Sequence, residues 1–217
     1  MVKKQFAVIG LGRFGSSVVT TLYSMGYQVL AIDADEDRVR DIVQHSTRAV
    51  AADATDETVL KSLAMRNFDV VIVGIGGDIQ ASIMITLMLK EMEVPYVVAK
   101  AQSELHGKVL YRVGADRVVF PERDMGVRVA HNLISSNILE YIELSPDVGM
   151  IEIVAPANTV GKTLRELDLR NRYNINVIAL KHGSDVNITP GGKDRIHKDN
   201  ILVLLGLKED LKRFEQQ

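Results

Sequence analysis

The sequence predicts an α/β fold: a doubly wound parallel sheet, then a helix, then a small α+β lobe. Three observations carry this. The chain opens on QFAVIGLGRFGSS followed by VLAID, which reads as strand, glycine turn, helix, strand, acid. Six short Val/Ile-rich runs then alternate with helix-like runs up to residue 120, as in parallel strands covered on both faces. After Pro121 the alternation stops, and a helix with no following strand in the same sheet leads into a second, shorter set of elements.

The strands of the first region are expected at Phe6–Ile9, Val29–Ile32, Arg48–Ala51, Val70–Val73, Val97–Ala99 and Val118–Phe120. Helical spacing of apolar residues lies between them, over Ser16–Met25, Glu36–His45, Glu57–Leu63, Ile79–Glu91 and Leu105–Val113. Gly26, Gly107 and Gly114 punctuate the region and Pro95 stops the fourth helix. The arrangement is that of a Rossmann-type sheet with strand order 3-2-1-4-5-6. Arg123–Ile138 is expected to be a connecting helix whose apolar side, with Met125, Val129 and Leu133, must be covered, by a neighbouring subunit or, alternatively, by packing on the second domain. Pro146, Asp147 and Gly149 mark a turn. Beyond it the spacing predicts strand Met150–Val154, helix Leu164–Tyr173, strands Asn176–Lys181, Val186–Thr189 and Ile201–Leu205, and a last helix Lys208–Glu215. The domains expected are therefore 1–121, a connecting helix 122–138, and 139–217. The last is small for an independent core, and pairing with a second copy would relieve that.

Composition narrows the function. The chain has 217 residues, 47% of them hydrophobic, and a net charge of −2. That balance supplies no electrostatic footprint for nucleic acid. There are no cysteines, so neither disulfides nor thiolate metal sites are open to it, which suits the cytoplasm. No signal peptide is visible at Met1–Lys4, and the apolar run Ala81–Leu89 is far shorter than the ~20 residues a membrane span needs. The expectation is a soluble protein that would act at a membrane only through a partner.

Gly10, Gly12 and Gly15 are spaced G-x-G-x-x-G. The first lets the chain turn out of the strand, the second lets a phosphate approach bare backbone, and the third lets the helix pack on the sheet. The helix start offers unpaired N–H groups and about half a positive charge to an anion. Asp33 is placed to accept from ribose hydroxyls, and its charge disfavours a 2′-phosphate, so NADP fits least. Arg13 within the loop can reach a terminal phosphate and tell a triphosphate from a diphosphate. Asp53, Ala54, Gly74, Ile75, Gly76, Lys100 and Glu122 all follow strands on the same carboxyl edge, the ligand side of such sheets. Asp53 suits an adenine amino group and Lys100 a phosphate. Glu122 beside a polyphosphate suggests a shared hard cation such as Mg²⁺. Of His45, His106, His131, His182 and His197, none sits in a recognisable catalytic setting. His106, at a helix start near a strand end, is the best of them. A dehydrogenase would need a substrate cleft and a proton relay that the small second unit hardly provides.

GLGRFG, VLAIDAD, VAADATD, VIVGIGGDIQAS, VVAKAQ and GADRVVFPERDMG together resemble the RCK domain, and GKTLRELDLRNRYNINVIALKHG resembles that family's C-terminal lobe. The chain is similar to the cytosolic regulatory subunits of bacterial Ktr/Trk-type potassium uptake systems. The resemblance implies a non-enzymatic, nucleotide-sensing subunit. Such subunits assemble through homodimers into a homo-octameric ring beneath an integral-membrane potassium-translocating subunit, peripheral to the inner face of the membrane. It implies ATP or ADP, or NAD(H), held by Gly10, Gly12 and Arg13 at the phosphates and by Asp33 and Asp35 at the ribose, with Phe14 and Gly15 also in the binding loop. Asp53 and Ala54 would lie near adenine, with Ile75, Gly76 and Lys100 lining the pocket. Glu122 would bind a divalent cation at the dimer interface. In some relatives the C-terminal lobes bind cyclic di-AMP, and Arg170, Asn176, Val177, Ile178, His182 and Pro190 match that region. The alternative reading is an NAD(H)-binding redox sensor or a dehydrogenase.

Overall fold

Strand β1 (Gln5–Ile9) has neighbours on both sides. To one side lie β2 (Gln28–Asp33) and β3 (Arg48–Ala51). To the other lie β4 (Val70–Val73), β5 (Val97–Lys100) and β6 (Arg117–Val119). All six run parallel, in the order β3-β2-β1-β4-β5-β6 that the sequence predicts. This is a computed structural model, and it describes residues 4–134 and 138–215. The chain divides into two units between Arg123 and Asp124.

The near-continuous apolar strands are explained by burial on both faces. Ala7, Ile9, Leu30, Ile32, Val71, Val73, Val97 and Ala99 share one core with Leu60, Ile85, Leu89 and Leu110. Their alternates Val8, Val29, Ala31 and Ile72 share another with Val19, Val39 and Ile42. The period of two thus sends successive residues to opposite layers. The second layer comes from α1 (Arg13–Ser24) and α2 (Glu36–Ile42). The first comes from α3 (Glu57–Ser62), α4 (Ile79–Glu91) and α5 (Glu104–Arg112).

Several boundaries differ from expectation, each for a local reason. Helix α1 starts at Arg13, not Ser16, because Phe14 already packs against the core and Gly12 takes the extended capping position. Helix α2 gives way to a 3-10 turn at Val43–His45. Strand β6 ends at Val119, because Phe120 turns away to pack over Gly107, where a Cβ would stand 2.6 Å from the ring. The connecting helix α6 runs over Pro121–Ile134. It begins at the proline, whose missing N–H costs nothing at a first helical turn. The expected helical residues 135–137 lie outside the described residues. Ile138 begins strand β7 (Ile138–Glu143), which the sequence reading did not anticipate.

The second unit is a five-stranded antiparallel sheet, β10-β9-β11-β8-β7. It is built from β7, β8 (Val148–Val154), β9 (Asn176–His182), β10 (Asp185–Asn187) and β11 (Ile201–Leu207). Ile151, Ile153, Leu202 and Leu204 bury one side of it with Tyr173 and Phe214, whose rings meet edge-on at 5.5 Å. The expected helix Leu164–Tyr173 is broken into α7 (Leu164–Leu167) and α8 (Leu169–Tyr173). The break is Asp168, in the left-handed conformation, its carboxylate accepting from Asn171 at 2.8 Å. The last helix, α9, occupies Lys208–Glu215 as expected. Strand β10 lies one residue earlier than Val186 and ends at Asn187, where Asn187 Oδ1 takes the Thr189 N–H into a turn.

Candidate nucleotide site

The carboxyl ends of β1 to β5 surround a cavity of about 690 Å³. Its floor exists because of glycines. Gly10 leaves β1 at φ +93°, and a Cβ there would meet Ile75 at 2.9 Å. A Cβ on Gly15 would lie 1.9 Å from the Gly10 carbonyl oxygen. Gly12 is the opposite case: a Cβ there would meet no protein atom within 4 Å, so the space before it is open cavity. The turn is held by the Gly10 N–H on Ile32 O (2.8 Å) and the Gly74 N–H on Ile9 O (2.7 Å). No side chain caps α1, and its first residues Arg13 and Phe14 line that open space, a place suited to an anion.

Asp33, at the end of β2, also holds the glycine loop. Its Oδ2 accepts the Leu11 N–H at 2.6 Å and its Oδ1 accepts the Asp35 N–H at 2.9 Å. Arg38 from α2 reaches Asp33 at 3.5 Å and Asp35 at 3.4 Å. Asp53 is fixed through Oδ1 by the Thr55 hydroxyl (2.7 Å) and N–H (2.9 Å), leaving Oδ2 clear of the described hydrogen bonds. Those two donors hold its carboxyl below the ordinary carboxylate range. Lys100 at the end of β5 is buried and contacts Glu122 at 2.5 Å. The lysine ammonium holds the Glu122 carboxyl below its ordinary range.

The cavity is lined by Gly10, Gly12, Arg13, Phe14, Asp33, Asp53, Ala54, Gly74, Ile75, Gly76, Lys100 and Glu122, all of them expected from sequence. Gly15 and Asp35 are not among its lining residues. Gly15 lies under the loop against Gly10, and the Asp35 carboxylate caps α2 through the Asp37 and Arg38 N–H groups. The sequence reading missed Arg38, Thr55 and Asp78, which also line the cavity. The pattern D-x-T at 53–55 was a usable turn signal, whereas Arg38 looks like any arginine on an exposed helix face. His106, the best histidine candidate, does not line the cavity. It is buried in α5, its Nδ1 accepting the Gln102 N–H at 3.3 Å, and burial pushes its pKa down.

In the second unit a cavity of about 440 Å³ brings together Arg170, Asn176, Val177 and Pro190, with Arg165 beside them. Ile178 and His182 do not line it. Ile178 is the residue that the β9–β11 register skips, between Val177 opposite Leu204 and Ala179 opposite Val203. His182 Nδ1 instead meets Asn200 Nδ2 at 3.0 Å. Among the described residues no three His, Cys, Asp or Glu form a group able to hold a metal ion. No helix among them is long and apolar enough to cross a membrane.

Comparison with known proteins agrees with this architecture. Residues 6–121 match the TrkA-N domain and residues 149–217 the TrkA-C domain. Over 216 residues the chain is 49% identical to the Ktr system potassium uptake protein C of Bacillus subtilis (strain 168), covering 100% of this chain and 98% of that one. It is 45% identical to the Ktr system potassium uptake protein A of the same organism, covering 99% of this chain and 96% of that one. Among solved structures, the GsuK RCK domain superposes with a TM-score of 0.69 at 20% identity, covering 99% of this chain and 47% of that one. The GsuK channel bound to NAD gives 0.67 at 19%, covering 97% and 38%. At these identities the solved structures speak for the fold alone. With a domain model matched over more than half its length and near-half identity from end to end, the chain belongs to the TrkA-type, RCK-domain family of Ktr potassium uptake proteins.

Proposed function

We propose that this chain is the nucleotide-sensing regulatory subunit of a Ktr potassium uptake system, binding ATP and ADP at the GLGRFG loop and catalysing no reaction. The observation that carries the reading is the open space before Gly12, beside uncapped helix N–H groups and the exposed Arg13. A polyphosphate there would meet backbone N–H groups with no Cβ in its way, and the Arg13 guanidinium would reach its terminal phosphate. Asp53 Oδ2 would take the adenine amino group next to Ala54, and the lone pairs remaining on Asp33 would take a ribose hydroxyl. The cation assigned to Glu122 would need phosphate oxygens and a second copy of the chain to complete its ligands.

Gating then follows from differential affinity, since a ligand shifts a conformational equilibrium only by binding one state better. Reversing a 1:99 equilibrium takes about 5.5 kcal/mol, or roughly 0.7 kcal/mol at each of the eight sites of an octameric ring. One charge-assisted contact from Arg13 is enough for that. The subunit would work in the cytoplasm, as homodimers assembled into a ring against the inner face of the membrane, beneath the potassium-translocating subunit. Isothermal titration calorimetry tests the site. ATP and ADP should both bind, and Arg13→Ala should narrow the difference between them with the melting temperature unchanged. Unaltered affinities for both would remove Arg13 from the reading.

Two further ligands have support of their own. Asp33 at the end of β2 suits the ribose of NAD(H), and a channel of the same fold carries NAD. Stronger thermal protection by NADH than by ATP or ADP would favour that cofactor. The cavity that gathers Arg170, Asn176, Val177 and Pro190 supports cyclic di-AMP at the second unit, with Arg170 and Arg165 offering guanidinium groups to its phosphates.

A further inference from the structure

The cavity contains a pair of charges whose burial is unequal. The Lys100 side chain is 11% exposed, while that of Glu122 is 69% exposed, and the two meet at 2.5 Å. A buried ammonium without an anion carries a desolvation penalty that nothing repays. Glu122 bears no such constraint, because water solvates its carboxylate as soon as it swings away. Lys100 therefore requires an anion, and Glu122 does not require Lys100. Gly76 lies against the same ammonium, its added Cβ meeting Nζ at 3.0 Å, so bare backbone leaves Lys100 accessible from the cavity. Gly12, Arg13 and Lys100 line one and the same space.

From this asymmetry we infer that Glu122 is a built-in competitor for the ligand phosphate: it neutralises Lys100 in the empty pocket and is displaced when a phosphate takes its place. The inference rests on the nucleotide reading and deepens it, by naming how occupancy is transmitted. Glu122 is the second residue of α6. The ion pair ties the start of that helix to the end of β5, and a phosphate on Lys100 unties it. A ligand with no phosphate leaves the tie in place. Occupancy is thus read at α6 through the exchange of one anion for another, and the released carboxylate becomes available to other partners.

The test uses the full chain in buffer containing EDTA, so that no divalent cation can hold Glu122. Thermal melts come first, on the wild type, Glu122→Gln, Lys100→Met and the double variant. Loss of Glu122 should lower the melting temperature by about 2–4 °C in the wild type. It should lower it by nothing further in Lys100→Met. An equal fall in both backgrounds, or none in either, overturns the pair. Calorimetry with ATP, ADP and adenosine comes second. Glu122→Gln should bind ATP and ADP about two- to fivefold more tightly than the wild type, in line with a screened ion pair. Adenosine should bind both alike. Equal or weaker binding of ATP and ADP by Glu122→Gln overturns the exchange even if the melts show coupling. If coupling is seen and neither protein binds any of the three, the nucleotide reading fails and the exchange with it, while the ion pair stands.

Discussion

At the residue scale, two glycines in one motif serve separate ends, and the difference is measurable. A Cβ on Gly12 would touch nothing, and its backbone (φ −64°, ψ −177°) suits any residue. A Cβ on Gly15 would collide with the Gly10 carbonyl. Gly12→Ala should therefore keep the wild-type melting temperature within about 2 °C, the span of an ordinary surface change of ~0.5 kcal/mol. It should also lose most of its affinity for ATP and ADP, because the methyl group stands where a phosphate would lie. Gly15→Ala should destabilise the fold by ~1–3 kcal/mol through overpacking, seen in urea denaturation. The motif spacing alone assigns both residues to one loop. Packing separates the glycine that faces open cavity from the one that faces protein.

At the scale of elements, the junctions on the opposite edge of the sheet carry a polar lock. Asp116, just before β6, accepts the Val97 N–H at 2.7 Å and pairs with Lys90 of α4 at 2.9 Å. Burial pushes the Asp116 pKa up, but the Val97 N–H and the lysine more than offset it, and the group titrates below its ordinary value of 3.8. A carboxyl depressed in the folded state stabilises fully above the unfolded value and loses that contribution as pH falls through the folded one. Asp116→Asn should therefore lower stability by ~1 kcal/mol at pH 7. The gap should close below about pH 4, as denaturation curves over pH 2–7 would register. Elements with a strong local period were legible: α4, β3, β4 and α9 fall on the residues expected. Strand β7 was not, because its place depends on pairing with β8 across a hairpin, with a bulge between Ile138 and Glu140. The break at Asp168 was not either, since a helical period runs straight through it.

At the scale of the whole molecule, α6 leaves Met125, Val127, Val129 and Leu133 exposed on a single chain. Burying such a surface against a second copy would stabilise both units, consistent with the proposed ring. Analytical ultracentrifugation should accordingly find the wild type as a dimer or larger. Met125→Lys with Leu133→Lys should shift it toward monomer while each unit keeps its fold. A strictly monomeric wild type would remove the ring, and with it the summing of small per-site energies on which gating depends.

The doubly wound sheet, its strand order and twelve of the residues around its cavity were legible in the amino-acid sequence. Apart from Phe14, which the family resemblance supplied, those follow from local rules: a period of two or 3.6, glycines where the backbone must turn, and the carboxyl edge of parallel strands as the ligand side. Packing between elements brings Arg38 to the cavity, keeps Gly15 and Asp35 from lining it, buries His106 and sets Lys100 against Glu122. The reason is physical. Which groups meet across 22 residues of chain, and which of two charges is taken out of water, are properties of packing between elements that no local pattern encodes.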